Sequence, residues 1–190
     1  MSEFAGRLGP HEDWAQQVFA HIEAHGWQVV PLGAERVAPD ASKVLSAMRN
    51  PDATARFVRY MPDGFAIHRQ KEKAFFFDAK VGRSIEKDAY IAYLAFAGKD
   101  RSVYVCLKNE SIVYWVPIKA IAFYDSEEYV SRFPPDRRMP IDEDGWIAPR
   151  LWLPSKYHNW KQQHPSASGT AFRYVDFGRL VAYRRTGQWT

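Results

Sequence analysis

The chain has 190 residues, of which 46% are hydrophobic, 15% aromatic and 25% charged. This length suits one domain, and this composition is typical of a globular protein and excludes a mainly disordered chain. The longest apolar run, residues 89–98, is about half as long as the roughly 20 residues of a membrane span. Residues 1–10 show no secretion signal. We therefore predict a cytoplasmic protein that does not cross a membrane.

The net charge of +4 comes from the second half of the chain. Residues 1–100 hold 13 basic and 13 acidic side chains, whereas residues 101–190 hold 13 and 9. Residues 145–190 are strongly basic, with seven Lys or Arg and one Asp. A basic segment of this kind favours a nucleic-acid partner, although an ordinary solvated surface has a similar balance.

Helices and strands alternate in the predicted secondary structure of the first 117 residues. Apolar residues at three- and four-residue spacing indicate helices, and short apolar runs between turn residues indicate strands. The predicted elements are a helix over 11–25, strands over 27–32 and 56–60, a hairpin of strands 64–68 and 74–77, a helix from its cap at Ser84 to residue 98, and strands over 102–107 and 112–117. A strand, a helix and a strand at this spacing predict a parallel crossover unit.

The predicted domain organisation is a core of residues 1–118 with an insertion at 33–57, followed by an extension of residues 119–190 packed on the core. A further helix, over residues 40–49, falls in the insertion. In the extension, the patterns predict a helix over 118–133, a long proline-rich loop over 134–154 and a final strand over 172–183. The fold class is therefore α/β.

Two aspartates flank the predicted hairpin. Asp63 and Asp78 are equally far from its centre, so an unbulged pairing would place them opposite each other with Cβ atoms about 5 Å apart. Directly opposed like charges are destabilising unless a cation lies between them, and carboxylate oxygens are preferred ligands of Mg²⁺ and Mn²⁺. Lys80 follows Asp78 by two residues and therefore lies on the same face of the strand. The sequence thus predicts a metal site with a lysine beside it.

Two glutamates are further candidates for this site. Glu12 lies at the border of the apolar stripe of the first helix and can face the sheet. An acidic residue in a first helical turn is also what the helix dipole favours. Glu86, in the first turn of the next predicted helix, has the same two interpretations: a ligand through water or a partner of the dipole. The residues alone leave both alternatives open.

Other kinds of site have no motif in the sequence. The single cysteine, Cys106, excludes an internal disulfide and a zinc site of the CxxC type. The six histidines form no HExxH motif, and there is no P-loop, no GxGxxG and no GxSxG. The hairpin therefore carries the chemistry that the sequence predicts.

The pattern of these residues resembles the PD-(D/E)XK nuclease superfamily. It consists of a leading helix with Glu12, the pair Pro62-Asp63, the strand that ends in Asp78-Ala79-Lys80, and then a helix and a strand. Within the superfamily it is most similar to archaeal-type Holliday junction resolvases, which pair a glutamate of the leading helix with the same hairpin. The resemblance covers residues 7–117 and implies a restriction-endonuclease-like core, a mixed sheet of order α-β-β-β-α-β flanked by helices.

The resemblance also implies a function. Asp63 and Asp78 would be metal ligands, with Glu12 and Ala79 as further ligands, and Lys80 would position or activate the attacking water. The reaction would be Mg²⁺- or Mn²⁺-dependent hydrolysis of DNA phosphodiester bonds by a homodimer acting in DNA recombination, on Holliday junctions or other branched DNA. The alternatives are a restriction- or repair-type nuclease for duplex DNA and a non-catalytic DNA-binding module on the same fold.

Basic residues outside the hairpin are candidates for contacts with DNA phosphates, with ordinary solvated surface as the alternative. They are Arg83, Lys87, Arg150, Lys156, Lys161, Arg173, Arg184 and Arg185. Aromatic residues interleave with the basic residues of the extension. Such rings stack on bases in some proteins, but they also serve to pack an extension against a core.

Overall fold

The computed structural model describes residues 3–33, 40, 44, 45, 48, 52–132, 141–147 and 171–185. The helices within these residues are α1 (Glu3–Ala24), α2 (Ala53–Arg59), α3 (Lys87–Ala97) and α4 (Ser126–Arg132). The strands are β1 (Gln28–Pro31), β2 (Gly64–His68), β3 (Lys73–Val81), β4 (Ser84–Glu86), β5 (Val103–Asn109), β6 (Ile112–Pro117), β7 (Phe172–Tyr174) and β8 (Arg184–Arg185). None of the described helices is long and apolar enough to cross a membrane.

A six-stranded mixed sheet forms the centre of the described part of the chain. Its strand order is β1-β2-β3-β5-β6-β8, and its parallel pair, β3 with β5, is connected through β4 and α3 as the crossover pattern predicts. β4 and β7 form a small second sheet. Apart from α2, inserted between β1 and β2, and β4, inserted before α3, the order is α1-β1-β2-β3-α3-β5. It confirms the predicted α/β class and the mixed sheet flanked by helices, and it is consistent with a restriction-endonuclease-like core.

Helices cover both faces of this sheet, with α1 on one face and α3 on the other. Side chains alternate between the two faces along each strand, so each strand contributes to both layers. Phe77 and Ala79 of β3 point to one face and pack in the same apolar cluster as α1. The alternate residues of β3, Asp78 and Lys80, point to the opposite face, where Tyr93 of α3 contacts Asp78. Phe76 of β3 also points to this second face and packs against its apolar cluster, so both layers are apolar and the charged residues of this face lie only at the end of β3.

The hairpin of β2 and β3 has the predicted register. Gly64 pairs with Phe77, which places the centre of the pairing between Gln70 and Lys71 as predicted. A 3₁₀ turn at Arg69–Lys71 reverses the chain, and the residue after it has a left-handed conformation. β3 continues beyond its last pair with β2, and these further residues, 78–81, carry Asp78 and Lys80 of the candidate site.

The strand predicted at residues 56–60 is wrong, because this segment lies largely in helix α2. Asp52 caps the helix by accepting a hydrogen bond from the Ala55 amide at 2.7 Å. The ring of Phe57 packs on that of Phe96 in α3, with centroids 5.4 Å apart. The cap and this packing outweigh the aromatic and β-branched residues that favour a strand.

The helix predicted to begin at Ser84 begins instead at Lys87. Residues 84–86 form β4 because β7, which is distant in sequence, pairs with them. The Lys87 amide, at the start of α3, donates a hydrogen bond to the Ala171 carbonyl oxygen at 2.7 Å and extends this pairing. The paired residues of β4 and β7 are 86 to 90 positions apart, so the partner strand leaves no local signal and the boundary was not predictable from the adjacent residues.

The predicted elements after β6 are shorter in the structure. The helix predicted over residues 118–133 is a 3₁₀ turn, Ile118–Ala120, followed by α4. The strand predicted over residues 172–183 is β7, with a 3₁₀ turn at Val181–Tyr183 that leads into β8. The helix predicted at 40–49 and the loop predicted at 134–154 lie largely outside the described residues.

The C-terminal segment, residues 171–185, joins both sheets. β7 pairs with β4, and β8 pairs with β6 at the edge of the main sheet. Between these strands, Val175 and Leu180 are 0% exposed and belong to the apolar cluster that α3 also enters. This segment is therefore an integral part of the folded core.

Replacing Gly64 with alanine is expected to lower the free energy of unfolding by about 1–3 kcal/mol, the usual cost of overpacking. An added Cβ would lie 2.9 Å from Cζ of Phe77 and 3.0 Å from the carbonyl oxygen of Val30. Phe77 is 0% exposed and Val30 contributes a backbone atom of β1, so neither yields easily. Urea unfolding followed by circular dichroism measures the change.

The matched background for this substitution is Phe77→Leu, which removes the Cζ atom. Gly64→Ala should cost less stability in that background than in the natural sequence, because the two positions are in contact. An equal cost in both backgrounds would contradict the close contact of Gly64 with the Phe77 ring.

Candidate active site

Asp78 of β3 is a buried carboxylate, 2% exposed. Its Oδ1 accepts a hydrogen bond from the Tyr93 hydroxyl at 2.6 Å. Lys80 Nζ lies 3.4 Å from Oδ1 and 3.1 Å from Oδ2. Although Oδ2 has this ionic contact, no described residue donates a well-directed hydrogen bond to it. A buried carboxylate oxygen in this condition is costly, and a bound cation would relieve the cost.

Asp63 lies immediately before β2, where that strand separates from β3. Its Oδ2 accepts a hydrogen bond from the Ala79 backbone amide at 2.8 Å. The backbone pairing of β2 with β3 ends at Gly64. Beyond that pair, the Asp63 side chain supplies the acceptor for the amide of β3. The structure thus brings Asp63 beside Asp78 at the end of the hairpin.

Lys80 shares the face of Asp78 and is 28% exposed. Burial alone would lower the pKa of its ammonium, but the charges of Asp78, Asp63 and Glu86 outweigh burial and raise the pKa above its usual range. Lys80 is therefore a fixed positive charge in this arrangement. One lysine among three carboxylates leaves the site negatively charged, which favours a cation.

Glu86 is the N-cap residue of α3, yet its side chain makes no capping hydrogen bond. Its charge is among those that raise the pKa of Lys80 and of Tyr93. Glu86 therefore acts on the site through its charge, and its position at the N-terminus of α3 agrees with the dipole interpretation as well.

Sequence analysis did not identify Tyr93 as a site residue. Burial raises the pKa of its hydroxyl well above the usual range, and the charge of Asp78 raises it further, so the hydroxyl remains protonated and donates. The only signal was its spacing, since it follows Glu86 by seven residues, or about two helical turns. Because α3 is apolar around most of its circumference, an aromatic residue there is indistinguishable from core.

The donor set fits a hard divalent cation. Asp63 and Asp78 supply carboxylate oxygens, and Oδ2 of Asp78 receives no hydrogen bond from the described residues. Within those residues, no group of three or more His, Cys, Asp and Glu side chains is arranged around one metal position. Mg²⁺ is commonly bound by one or two carboxylates, with water and substrate phosphate as its other ligands. A pair of aspartates is therefore a sufficient protein contribution.

Glu12 lies on α1, which covers the face of the sheet opposite Asp78. Its Oε1 accepts a hydrogen bond from Gln16 Nε2 at 2.9 Å, one turn further along the same helix. In this structure Glu86 is the third carboxylate whose charge acts on Lys80. Ligation of a metal by Glu12 stays a prediction.

Two of the predicted DNA-binding residues bind one loop of the protein, residues 141–147. Lys87 Nζ donates to Asp142 at 2.9 Å and to Asp144 at 3.2 Å. The Arg173 guanidinium donates to the carbonyl oxygens of Asp144 and Gly145. These contacts fix the loop against α3 and β7. Three further candidates lie outside the described residues, namely Arg150, Lys156 and Lys161.

The other predicted basic residues lie at the same end of the sheet as the carboxylates. Arg83 follows β3, and its Nε donates to Asn109 Oδ1 at 3.2 Å. Two adjacent rows of paired residues cross the sheet at this end. The first row is Lys80, Leu107, Tyr114 and Arg184, and the second is Val81, Lys108, Val113 and Arg185.

Lys108 is a basic residue of this end that sequence analysis did not single out. Its Nζ lies 4.9 Å from the centre of the Trp14 ring on α1. Arg185 is near α1 as well: burial lowers the pKa of His21, and the charges of His25 and then Arg185 lower it further. The second row therefore presents two cations on the α1 side of the sheet.

The chain matches no protein-family model and none of the curated proteins compared with it. Among solved structures it is similar to Hjc, a Holliday junction resolvase from the archaeal hyperthermophile Archaeoglobus fulgidus. The sequence identity is 14%, the TM-score is 0.37, and the similarity covers 56% of this chain and 74% of that protein. This is a distant relation of fold alone.

Proposed function

We propose that this protein is a metal-dependent endonuclease that hydrolyses phosphodiester bonds in DNA. The observation that carries the proposal is the meeting of Asp63, Asp78 and Lys80 at one end of β2 and β3. Clustered carboxylates in a largely buried place are costly to a fold and are typical of functional sites. The motif that these residues form, with its resemblance to the PD-(D/E)XK nucleases, supports the same reaction.

Phosphodiester hydrolysis needs a nucleophile made from water at neutral pH and stabilisation of the charge that develops on the phosphoryl oxygens. Mg²⁺ or Mn²⁺ supplies both when it is bound. Asp63 and Asp78 would hold the ion, with Oδ2 of Asp78 facing it. Lys80, a fixed cation 3.1 Å from that oxygen, is placed to donate to the attacking water or to a phosphate oxygen.

DNA would approach across the end of the sheet that carries the cations. Lys108 and Arg185 lie two strands apart in one row, about 10 Å at the usual strand spacing. Within the described part of the chain, neither forms an ion pair with a carboxylate. Lysine and arginine in such positions bind phosphates with little dependence on base sequence.

The substrate that we propose is a Holliday junction or another branched DNA. The motif, from the leading-helix Glu12 to Lys80, is most similar to that of the junction resolvases. Because a junction is two-fold symmetric, a homodimer that cuts it twice is the expected form of the enzyme. Duplex DNA, as the substrate of a restriction- or repair-type nuclease, is the alternative.

The deciding experiment is cleavage of end-labelled four-way junction, flap, duplex and single-stranded DNA, each with Mg²⁺, with Mn²⁺ and with a chelator. We expect cleavage that requires the metal and that is fastest on the junction. Cleavage fastest on plain duplex would select the restriction- or repair-type alternative. Tight binding to every DNA without any cleavage would replace the proposal with a non-catalytic DNA-binding module.

Changing Lys108 and Arg185 together to glutamine is expected to weaken DNA binding and to flatten its salt dependence. Each phosphate contact contributes about 0.9 to the slope of log K against log salt concentration on duplex DNA, so the slope should fall by up to about 1.8. Fluorescence anisotropy at several salt concentrations measures it.

The matched control is the pair Lys99→Gln and Arg101→Gln, which removes the same charge just before β5, at the opposite end of the sheet. This pair should leave the slope close to that of the natural protein. If both pairs change the slope equally, the cations act through net charge alone and the proposed DNA path is wrong.

A further inference from the structure

Tyr93 connects α3 to the carboxylate cluster by a short hydrogen bond. Its hydroxyl lies 2.6 Å from Oδ1 of Asp78, and both residues are 2% exposed. A hydrogen bond to an ionised carboxylate is charge-assisted, which makes it roughly twice as strong as one between neutral groups. The contact therefore exerts a strong orienting force on the side chain of Asp78.

The bond distinguishes the two oxygens of Asp78. Oδ1 accepts a short hydrogen bond from Tyr93 and lies 3.4 Å from Lys80 Nζ, whereas Oδ2 lies 3.1 Å from Lys80 Nζ and receives no well-directed hydrogen bond from the described residues. Rotation of an aspartate carboxylate about χ2 is only weakly restricted. Lys80 Nζ already lies within 3.4 Å of both oxygens, so Tyr93 is the contact that holds Oδ1 in one direction. Without the Tyr93 hydroxyl, the carboxylate would be free to turn about χ2, and Oδ2 would no longer be held toward a cation.

We propose that Tyr93 is a positioning residue that orients the Asp78 carboxylate so that Oδ2 is presented to a divalent cation. This inference rests on the proposed function, because it assigns to α3 a part in the same metal site. Hydrogen-bond partners of metal-binding side chains typically account for about 10- to 100-fold in metal affinity.

Packing of the Tyr93 ring in the core does not require the Tyr93 hydroxyl. A control tyrosine lies one turn earlier on α3: the ring of Tyr90 packs near those of Phe123 and Trp146, with centroids 5.1 and 5.8 Å away. Phenylalanine at position 93 would keep the ring in the core and remove one oxygen atom. The variant Tyr93→Phe therefore tests the hydrogen bond, and Tyr90→Phe removes the same atom from a neighbouring turn as a control.

The experiment is titration of the DNA-free protein with Mn²⁺, with unbound Mn²⁺ followed by electron paramagnetic resonance. We expect the dissociation constant to rise about 10- to 100-fold in Tyr93→Phe and to stay unchanged in Tyr90→Phe. Circular dichroism at the temperature of the titration verifies folding. Incorporation of 4-aminophenylalanine at position 93, which restores a donor at similar reach, should recover most of the Mn²⁺ affinity.

A parallel cleavage assay gives a second readout. The Mg²⁺ concentration for half-maximal cleavage should rise in Tyr93→Phe, and excess Mg²⁺ should restore most of the rate. Unchanged Mn²⁺ affinity in folded Tyr93→Phe would overturn the role of Tyr93, whatever happens to cleavage. Absence of Mn²⁺ binding and of cleavage in the natural protein would instead overturn the proposed function, so the two failures are distinguishable.

Discussion

Replacing Asp78 with asparagine will reduce metal-dependent DNA cleavage by at least about a thousandfold if Asp78 holds the cation. Asparagine keeps the shape of the side chain and an acceptor for the Tyr93 hydroxyl at 2.6 Å, but it loses the charge that a divalent ion requires. A bound metal supplies several kcal/mol of transition-state stabilisation, and a loss of about 4 kcal/mol corresponds to that factor. Single-turnover cleavage of end-labelled DNA measures the effect.

The fold of this variant should persist, because Lys80 keeps the charges of Asp63 and Glu86 close by. A thermal unfolding curve near that of the natural protein verifies this. Asp100→Asn, an equal change of charge at an exposed position just before β5, is the matched control and should cut normally. Cleavage by Asp78→Asn at the natural rate would remove Asp78 from the proposed site.

Replacing Trp14 with alanine is expected to lower the free energy of unfolding by about 3–5 kcal/mol, the range for large buried aromatics. Trp14 is 1% exposed, its Nε1 donates to the Cys106 carbonyl oxygen at 3.3 Å, and it fills the layer between α1 and the sheet. For a domain of this size, such a loss lowers the unfolding temperature by about 6–20 °C. Circular dichroism is the appropriate probe because tryptophan fluorescence would lose one of seven emitters.

Trp14→Phe separates ring packing from the hydrogen bond, and it should cost much less stability than alanine because most of the apolar surface remains buried. The alanine variant also removes the ring beneath Lys108 Nζ. Its DNA affinity, measured below the unfolding transition, should therefore fall as well. Stability of Trp14→Ala within about 1 kcal/mol of the natural protein would contradict the packing of α1.

The hairpin and its carboxylates were predictable from sequence because a symmetric hairpin has one unknown, the position of its centre. Once the turn was placed between Gln70 and Lys71, the pairing of every residue followed, and Gly64 does pair with Phe77. The period of two along a strand then put Lys80 on the face of Asp78. These inferences needed only strand geometry, which local sequence determines well.

The rest depended on how distant elements pack. Helical periodicity correctly turned the apolar stripe of α1 toward the sheet, but it did not reveal that Asp78 points to the other face. The contact of Tyr93 with Asp78 requires the crossing of α3 over β3, which the spacing of residues along the helix does not determine. Lys108 was missed for a similar reason, since its place in one row with Arg185, two strands away, follows from the pairing of β6 with the distant β8.

The late position of β7 and β8 in the sequence has a consequence for synthesis of the protein. Both strands can join the sheets only after residues 172–185 have emerged from the ribosome. Val175 and Leu180, which lie between these strands, can fill the core beneath α3 only at that stage. A nascent chain that has completed β6 therefore still exposes apolar surface that the finished protein buries. We expect such a chain to be a chaperone substrate until residues 172–185 emerge, and contacts of such high sequence separation to make folding slow.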